Sequence, residues 1–239
     1  MEHREKESYA IQSVDNALSL LEAMGEERGD FALSDLSARL GLNKSSVFRL
    51  LATFEGRGYV EAVEESKKYR LSTVAFEVGR NLLLRNDLLW QARPVMERLA
   101  RECGENIYLA VPRGGEVLFL DMVDSEQKVT VMPLVGHCYP LEGNAPGRVF
   151  LALGGRESPA DSGLDEIRGR GFAVDRGGLG AGIDALAVPL RGVAGVLCGA
   201  LCLIAPAFRL GDKRLEMELL ERLVAGGRTV ETRLGRKPQ

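Results

Sequence analysis

The sequence predicts an α+β protein in two parts: a winged helix-turn-helix, then an antiparallel sheet with helices packed beside it. Three observations predict it. Before Gly58, apolar residues recur at helical spacing in three short stretches separated by turn and capping residues. The charged hairpin "YVEAVEESKKYRLS" follows directly. From Asn106 the pattern changes to short apolar strands broken by loops rich in Gly and Pro.

The elements follow in order. Val14, Ala17, Leu18, Leu21 and Met24 mark a first helix, with Ser13 as its N-cap. "LSDLSARLGL" is a second, capped by Ser34, turned inward at Leu36 and Leu40, and ended by Gly41. Asn43 or Ser45 caps a third helix that runs to about Arg57. Strands over 59–63 and 68–71 enclose a polar turn. A helix over 73–85 is a natural linker, and another spans 88–103. "NIYLAVPRGGEVLFLDMV" reads as a hairpin and "KVTVMPLV" as a further strand. A helix around "RVFLALGG", a helix at "LDEIRGRGF", a strand at "FAVD", two apolar strands and a final helix over 212–233 complete the chain. The expected domains are therefore 9–72, the linker 73–86, and 87–239.

The third helix carries the sharpest signal. On a 100° wheel Val47, Leu50, Leu51 and Phe54 cluster toward a core, while Ser45 and Arg49 lie opposite, flanked by Ser46 and Phe48. Hydroxyls and an arginine near the N-terminal half of such a helix suit base edges in a major groove. The candidates for base reading are Ser45, Ser46, Phe48 and Arg49; those for phosphate contact are Lys44, Lys67, Lys68 and Arg70. The chain's net charge of −3 is no obstacle. Arg39, Lys44, Arg49 and Arg57 face only Glu55 between Leu36 and Val60, and charges beyond about 10 Å are screened. An amphipathic helix with a solvated face is the alternative; the preceding helix, turn and basic wing together favour double-stranded DNA.

With 239 residues and 45% hydrophobic content the chain can bury a proper core. No apolar run is long enough for a membrane span, and the charged "MEHREKESYAIQSVDNA" lacks a signal-peptide core. Cys103, Cys138, Cys198 and Cys202 form no regular framework, which fits reduced thiols in a cytoplasmic protein. No metal spacing and no cofactor motif is present; "GGLGAG" misses the dinucleotide spacing and reads as a flexible loop or pocket lid.

"YAIQSVDNALSLLEAM", "LSDLSARLGLNKSSVFRLLATFEGRGYVE", "PLEGNAPGRVFLA", "IRGRGFAVDRGG" and "GALCLIAPAFRL" resemble, in order and across nearly the whole chain, the IclR-type bacterial transcriptional regulators. The resemblance implies a repressor or activator with a GAF-like effector domain, acting as a homodimer or homotetramer on an operator. The effector is expected to act by shifting domain spacing through the 73–85 helix, which demands unequal affinity for the two states.

Effector candidates lie in two places. In "LEGNAPGR" the free N–H groups of a helix start at Gly143, Asn144, Ala145 and Gly147 can hold a carboxylate; in the resembling family the matching loop borders the effector pocket. Strand alternation puts Cys198, Ala200, Cys202 and Ile204 on one face as a small, soft wall. Asp175 and Asp184 either line the pocket or serve as strand-end or exposed acids. The chain departs from the family pattern at Glu142, "NAPGR", Cys202, Ile204 and Gly178. Fewer hydroxyl donors and an added Asp184 disfavour a small hydrophilic acid such as glyoxylate and favour a more apolar or aromatic ligand with its own donor. Two other classes stay open: a DNA-bound scaffold that only dimerises, and an enzyme using Cys138 and His137. No catalytic set is assigned.

Overall fold

A computed structural model describes residues 11–27, 29–84, 86–154, 162–211, 214 and 218–235. The chain divides into two compact units, 1–83 and 84–239.

The first unit holds α1 (Gln12–Glu26), α2 (Leu33–Leu40), α3 (Lys44–Gly56), the antiparallel pair β1 (Val60–Val63) and β2 (Lys68–Leu71), and α4 (Thr73–Leu84). Leu20, Met24, Leu36, Val47, Leu51 and Val60 form its buried core. Phe31 exchanges backbone hydrogen bonds with Tyr69 (2.8 and 2.9 Å), which stitches the α1–α2 connection to the wing. Gly41 ends α2 in the left-handed region at φ 64°, where a side chain would be strained. Two expected caps are corrected. Ser13 and Ser34 both sit one residue inside their helices, which start after Ile11 and Ala32 with no side-chain cap. Helix α1 also turns differently from its periodicity: Leu20, Ala23 and Met24 are buried, whereas Val14 and Leu18 are exposed within this unit.

The second unit is built on a six-stranded antiparallel sheet in the order β5-β4-β3-β8-β7-β6. Its strands are β3 (Asn106–Arg113), β4 (Glu116–Val123), β5 (Cys138–Pro140), β6 (Ala173–Arg176), β7 (Ile183–Arg191) and β8 (Leu197–Pro206). Three apolar strands in a row make the centre, because β3, β8 and β7 are covered on both faces. Helices α5 (Asp87–Cys103) and α8 (Leu220–Arg233) pack on one face against Leu109, Leu186, Leu201 and Leu203. Helices α6 (Ala145–Leu153) and α7 (Ser162–Arg170) cover the other, over Tyr108, Phe119, Ala185, Ala187, Cys202 and Ile204. Glycines let the helices come close: a Cβ on Gly226 of α8 would stand 2.6 Å from Leu99 Cδ1 of α5.

Three readings are corrected here. "KVTVMPLV" is not a strand. The Asn106 side chain donates to Thr130 Oγ1 (2.7 Å) and accepts from the Ser125 N–H (2.9 Å), holding the segment irregular, while Val131 and Leu134 drop into the α6 face. Cys198 is not on the wall with Cys202. The register between β7 and β8 slips after Leu190, passing from Leu190↔Gly199 to Arg191↔Leu197. That irregularity sends Cys198 to the α5–α8 face, where its Sγ lies 3.3 Å from Leu190 O. Third, "GGLGAG" is a hydrogen-bonded turn rather than a loose lid: Gly177 N–H donates to Ile183 O (2.8 Å) and Leu179 is buried. Of the final helix expected over 212–233, residues 212, 213 and 215–217 lie outside the described residues. No helix among the described residues is long and apolar enough to cross a membrane.

Candidate functional site

Helix α3 is positioned by its cap and its apolar stripe. Asn43 accepts a hydrogen bond from the Ser46 N–H (2.8 Å), which fixes where the helix starts. Val47 and Leu51 are fully buried and Leu50 and Phe54 half-buried, so the stripe locks the helix's rotation. Ser45, Arg49, Ala52 and Gly56 are exposed as a result, and so is Phe48, at 55%. An exposed phenylalanine beside an arginine leaves an apolar ring on the solvent face of the helix, near its start. Ser46 is half-buried, with Ser13 and Asn16 of α1 lining a hollow of about 270 Å³ beside Arg49 and Thr53. Asn16 did not stand out in the sequence, and Ser13 did so only as a cap, because a polar residue near a helix start is otherwise unremarkable.

Two of the counted basic residues are held by acids. Arg39 pairs with Glu26 and with Glu27 (3.2 Å). Arg70, expected to be free for phosphate, lies 3.4 Å from Asp30 and 3.5 Å from Glu61. That corrects the reading of the wing: Asp30 arrives from the α1–α2 connection and Glu61 from directly across the strand pair. Lys44, Arg49, Arg57, Lys67 and Lys68 make no ion pair among the described residues. The positive field is therefore concentrated at the start of α3 and the tip of the wing.

Lys67 is held at φ 54° in the β1–β2 turn, its N–H bonded to Val63 O (2.9 Å). A left-handed lysine costs on the order of 1 kcal/mol, which glycine would avoid. Lys67→Gly should therefore raise the thermal stability of the winged unit while weakening its affinity for DNA. Paired melting and titration experiments check both signs.

On the α6 face the loop and helix start are tightly built. Asn144 is 1% exposed; it accepts from the Gly147 N–H (2.9 Å) and donates to Pro140 O (2.6 Å). The Arg148 N–H goes to Asn144 O (3.0 Å), and Pro146 has no N–H to offer. The Ala145 N–H lies against the Asp175 carboxylate. Of the amides expected to cradle a ligand anion at Gly143, Asn144, Ala145 and Gly147, those of Ala145 and Gly147 are thus spent within the chain. A Cβ on Gly147 would lie 2.0 Å from Leu141 O, and one on Gly178 only 1.8 Å from Gly143 O. A side chain has no room at Gly178, because the two loops meet there backbone to backbone.

The two candidate aspartates separate. Asp175 is on the α6 face and 6% exposed. Its Oδ1 accepts from the Gly178 N–H (2.7 Å), while Oδ2 makes no hydrogen bond of normal distance and angle among the described residues. Burial pushes its carboxyl pKa up, and the N–H groups of Gly178 and Ala145 only partly offset this. Asp184 is corrected: it pairs in register with Ala205, on the α5–α8 face, and its carboxylate is bound by Arg176. The strand's odd and even positions decide this, since Ala185 and not Asp184 points the same way as Cys202 and Ile204. Cys202 and Ile204 are both fully buried there.

Beside the small floor stands a row of aromatic rings. Tyr108 meets Phe119 edge-on at 5.5 Å, and Phe119 meets Tyr139 edge-on at 5.7 Å. These were not singled out in the sequence, because three separate strands contribute them. Three of the four thiols are poor nucleophiles: burial raises the pKa of Cys103 to about 11 and also raises those of Cys198 and Cys202.

Two family models match the chain, the IclR helix-turn-helix domain over residues 13–64 and the bacterial transcriptional regulator IclR C-terminal domain over residues 80–162. Among curated relatives, the HTH-type transcriptional regulator KdgR of Escherichia coli is 28% identical, with 97% of this chain and 95% of the relative covered. The transcriptional repressor IclR of Escherichia coli is 31% identical across 59% of this chain and 53% of its own length. A solved IclR transcriptional regulator from Alicyclobacillus acidocaldarius shares the fold, with a TM-score of 0.82 at 24% identity, covering 95% of this chain and 100% of the other. With an exposed recognition helix, a basic wing tip, an α+β second unit and matching models for both, the chain belongs to the IclR family and is a DNA-binding transcriptional regulator.

Proposed function

We propose that Ser45, Ser46, Phe48 and Arg49 read base edges in the major groove of an operator, and that Lys44, Lys67 and Lys68 bind its phosphates. The exposed face of α3, whose N-terminal half carries Lys44 and Arg49 and no acid, is the observation that carries this reading. Arg70 adds less, because its charge is shared with Asp30 and Glu61. The chain acts as a homodimer or homotetramer, so the operator carries two-fold-related half-sites. A small organic effector, aromatic or otherwise largely apolar, binds the α6 face of the sheet, over the floor of Cys202 and Ile204 and beside the aromatic row. The family's regulatory role and the buried, incompletely bonded Asp175 support that location.

Binding to promoter fragments from its own genomic neighbourhood, measured across a salt series, tests the DNA reading. Three lysines on each of two protomers give a slope of log affinity against log salt of roughly −5. A flat salt dependence, or equal affinity for every fragment, would overturn it. Thermal stabilisation by a panel of organic acids and aromatics tests the effector reading, since a ligand of the native state raises apparent stability.

A further inference from the structure

The flank of α3 that turns toward α1 carries hydrogen-bond donors with nothing to donate to. Ser13 and Asn16 of α1 line a hollow of about 270 Å³ with Ser46, Arg49, Leu50 and Thr53 of α3. The Ser13 and Ser46 hydroxyls make no hydrogen bond among the described residues. The Gln12 side chain donates to Asn16 Oδ1 (2.9 Å), which leaves the Asn16 N–H groups without an acceptor. Arg49 makes no ion pair among the described residues, and none of the lining residues is an acid. Only Thr53 spends its hydroxyl, on Arg49 O (2.8 Å).

Donors without acceptors, beside a guanidinium and away from any acid, suit an anion. The hollow is smaller than the roughly 300–1,000 Å³ of small-molecule sites, so the anion is a compact group. Its place says which one. An α-helix with its side chains is about 10–12 Å across, and a major groove is about 12 Å wide. A helix seated there with Arg49 toward the bases therefore brings its flanks against the sugar-phosphate backbones. Ser46, Leu50 and Thr53 form one such flank, a stripe at helical spacing beside the exposed face, and α1 stands across the hollow from it.

We propose that the hollow between α1 and α3 seats one backbone phosphate of the operator, with Ser13 and Asn16 as its donors from outside the recognition helix. This rests on the reading of α3 as the helix in the groove. Such a contact carries no sequence information; it fixes where along the groove Ser45, Phe48 and Arg49 stand. Leu20 and Met24 of α1 share a buried core with Val47 and Leu51 of α3, so the phosphate donors and the base readers move as one body.

Titration of the full chain with its preferred promoter fragment and with an unrelated fragment, across a salt series, tests it. The double variant Ser13→Ala/Asn16→Ala should bind both fragments at least tenfold more weakly, the range of hydrogen bonds to a charged group. Its salt slope should stay that of the wild type, because neutral donors release no counterions. Asn16→Asp keeps the shape and the bond from Gln12 but sets a carboxylate against the phosphate, so it should lose more than the double variant. Ser13 is exposed and Asn16 half-buried, so melting temperatures should barely move. Neutral methylphosphonate, scanned along the preferred fragment, should find one position per half-site that weakens the wild type and not the double variant. Wild-type affinity in both variants, or a loss confined to the preferred fragment, would overturn the phosphate seat while leaving the DNA reading standing. Failure of the wild type to bind either fragment would sink both together.

Discussion

Replacing Glu105 with alanine should destabilise the second unit by about 3 kcal/mol or more, the cost of breaking a buried ion pair from one side. Glu105 is completely buried at the α5–β3 turn, between two arginines. Arg209 reaches it through Nε (3.0 Å to both oxygens) and Nη2 (2.8 Å), and Arg214 through Nη1 (2.7 Å). Both arginines also bind carbonyls: Arg209 that of Val129 (2.7 Å), Arg214 that of Cys103 (2.8 Å). The carboxylate therefore ties the segments after β8 to the end of α5 and to the irregular stretch before β5. For a unit of this size the loss corresponds to a fall in melting temperature of roughly 6–12 °C. Glu105→Gln, which keeps the packing and loses the charge, should fall between the two. A melting temperature unchanged in Glu105→Ala would mean that the arginines are equally well served by water.

Arg49→Ala should abolish operator selectivity while leaving the fold intact. Arg49 is exposed and makes no ion pair among the described residues, so little stability is at stake. A bidentate arginine–guanine contact is worth about 1–3 kcal/mol of discrimination, and a dimer makes it twice. The expected loss on the preferred fragment is roughly thirtyfold to ten-thousandfold, with residual, salt-sensitive binding to any DNA. Lys44→Ala is the contrast: affinity should fall evenly across sequences and the salt slope should shallow by about 1 per lost contact. If Arg49→Ala weakens all fragments equally, Arg49 is a phosphate contact and the base reading falls to Ser45, Ser46 and Phe48.

The pattern of what was legible follows the reach of each interaction. The amphipathic stripe of α3, its Asn43 cap, the Gly41 turn and the β1–β2 hairpin are set by neighbours within a few residues, and the chain alone determined them. So were the exposure of Ser45 and Arg49 and the soft wall of Cys202 and Ile204, since periodicity places them once the element is known. Tertiary structure decided the rest. Whether Arg70 is free depends on Asp30, which lies forty residues earlier and reaches the wing only because Phe31 pairs with Tyr69. Which aspartate faces α6 depends on strand register, where one residue exchanges the two faces; Asp175 pairs with Ala185 and Asp184 with Arg176, one step apart, so they fall on opposite sides. The helix start at Asn144 looked open because sequence shows which amides a helix leaves unpaired. Only packing shows that Asp175, folded back from thirty residues away, already meets the Ala145 N–H, and that the buried Asn144 side chain takes that of Gly147.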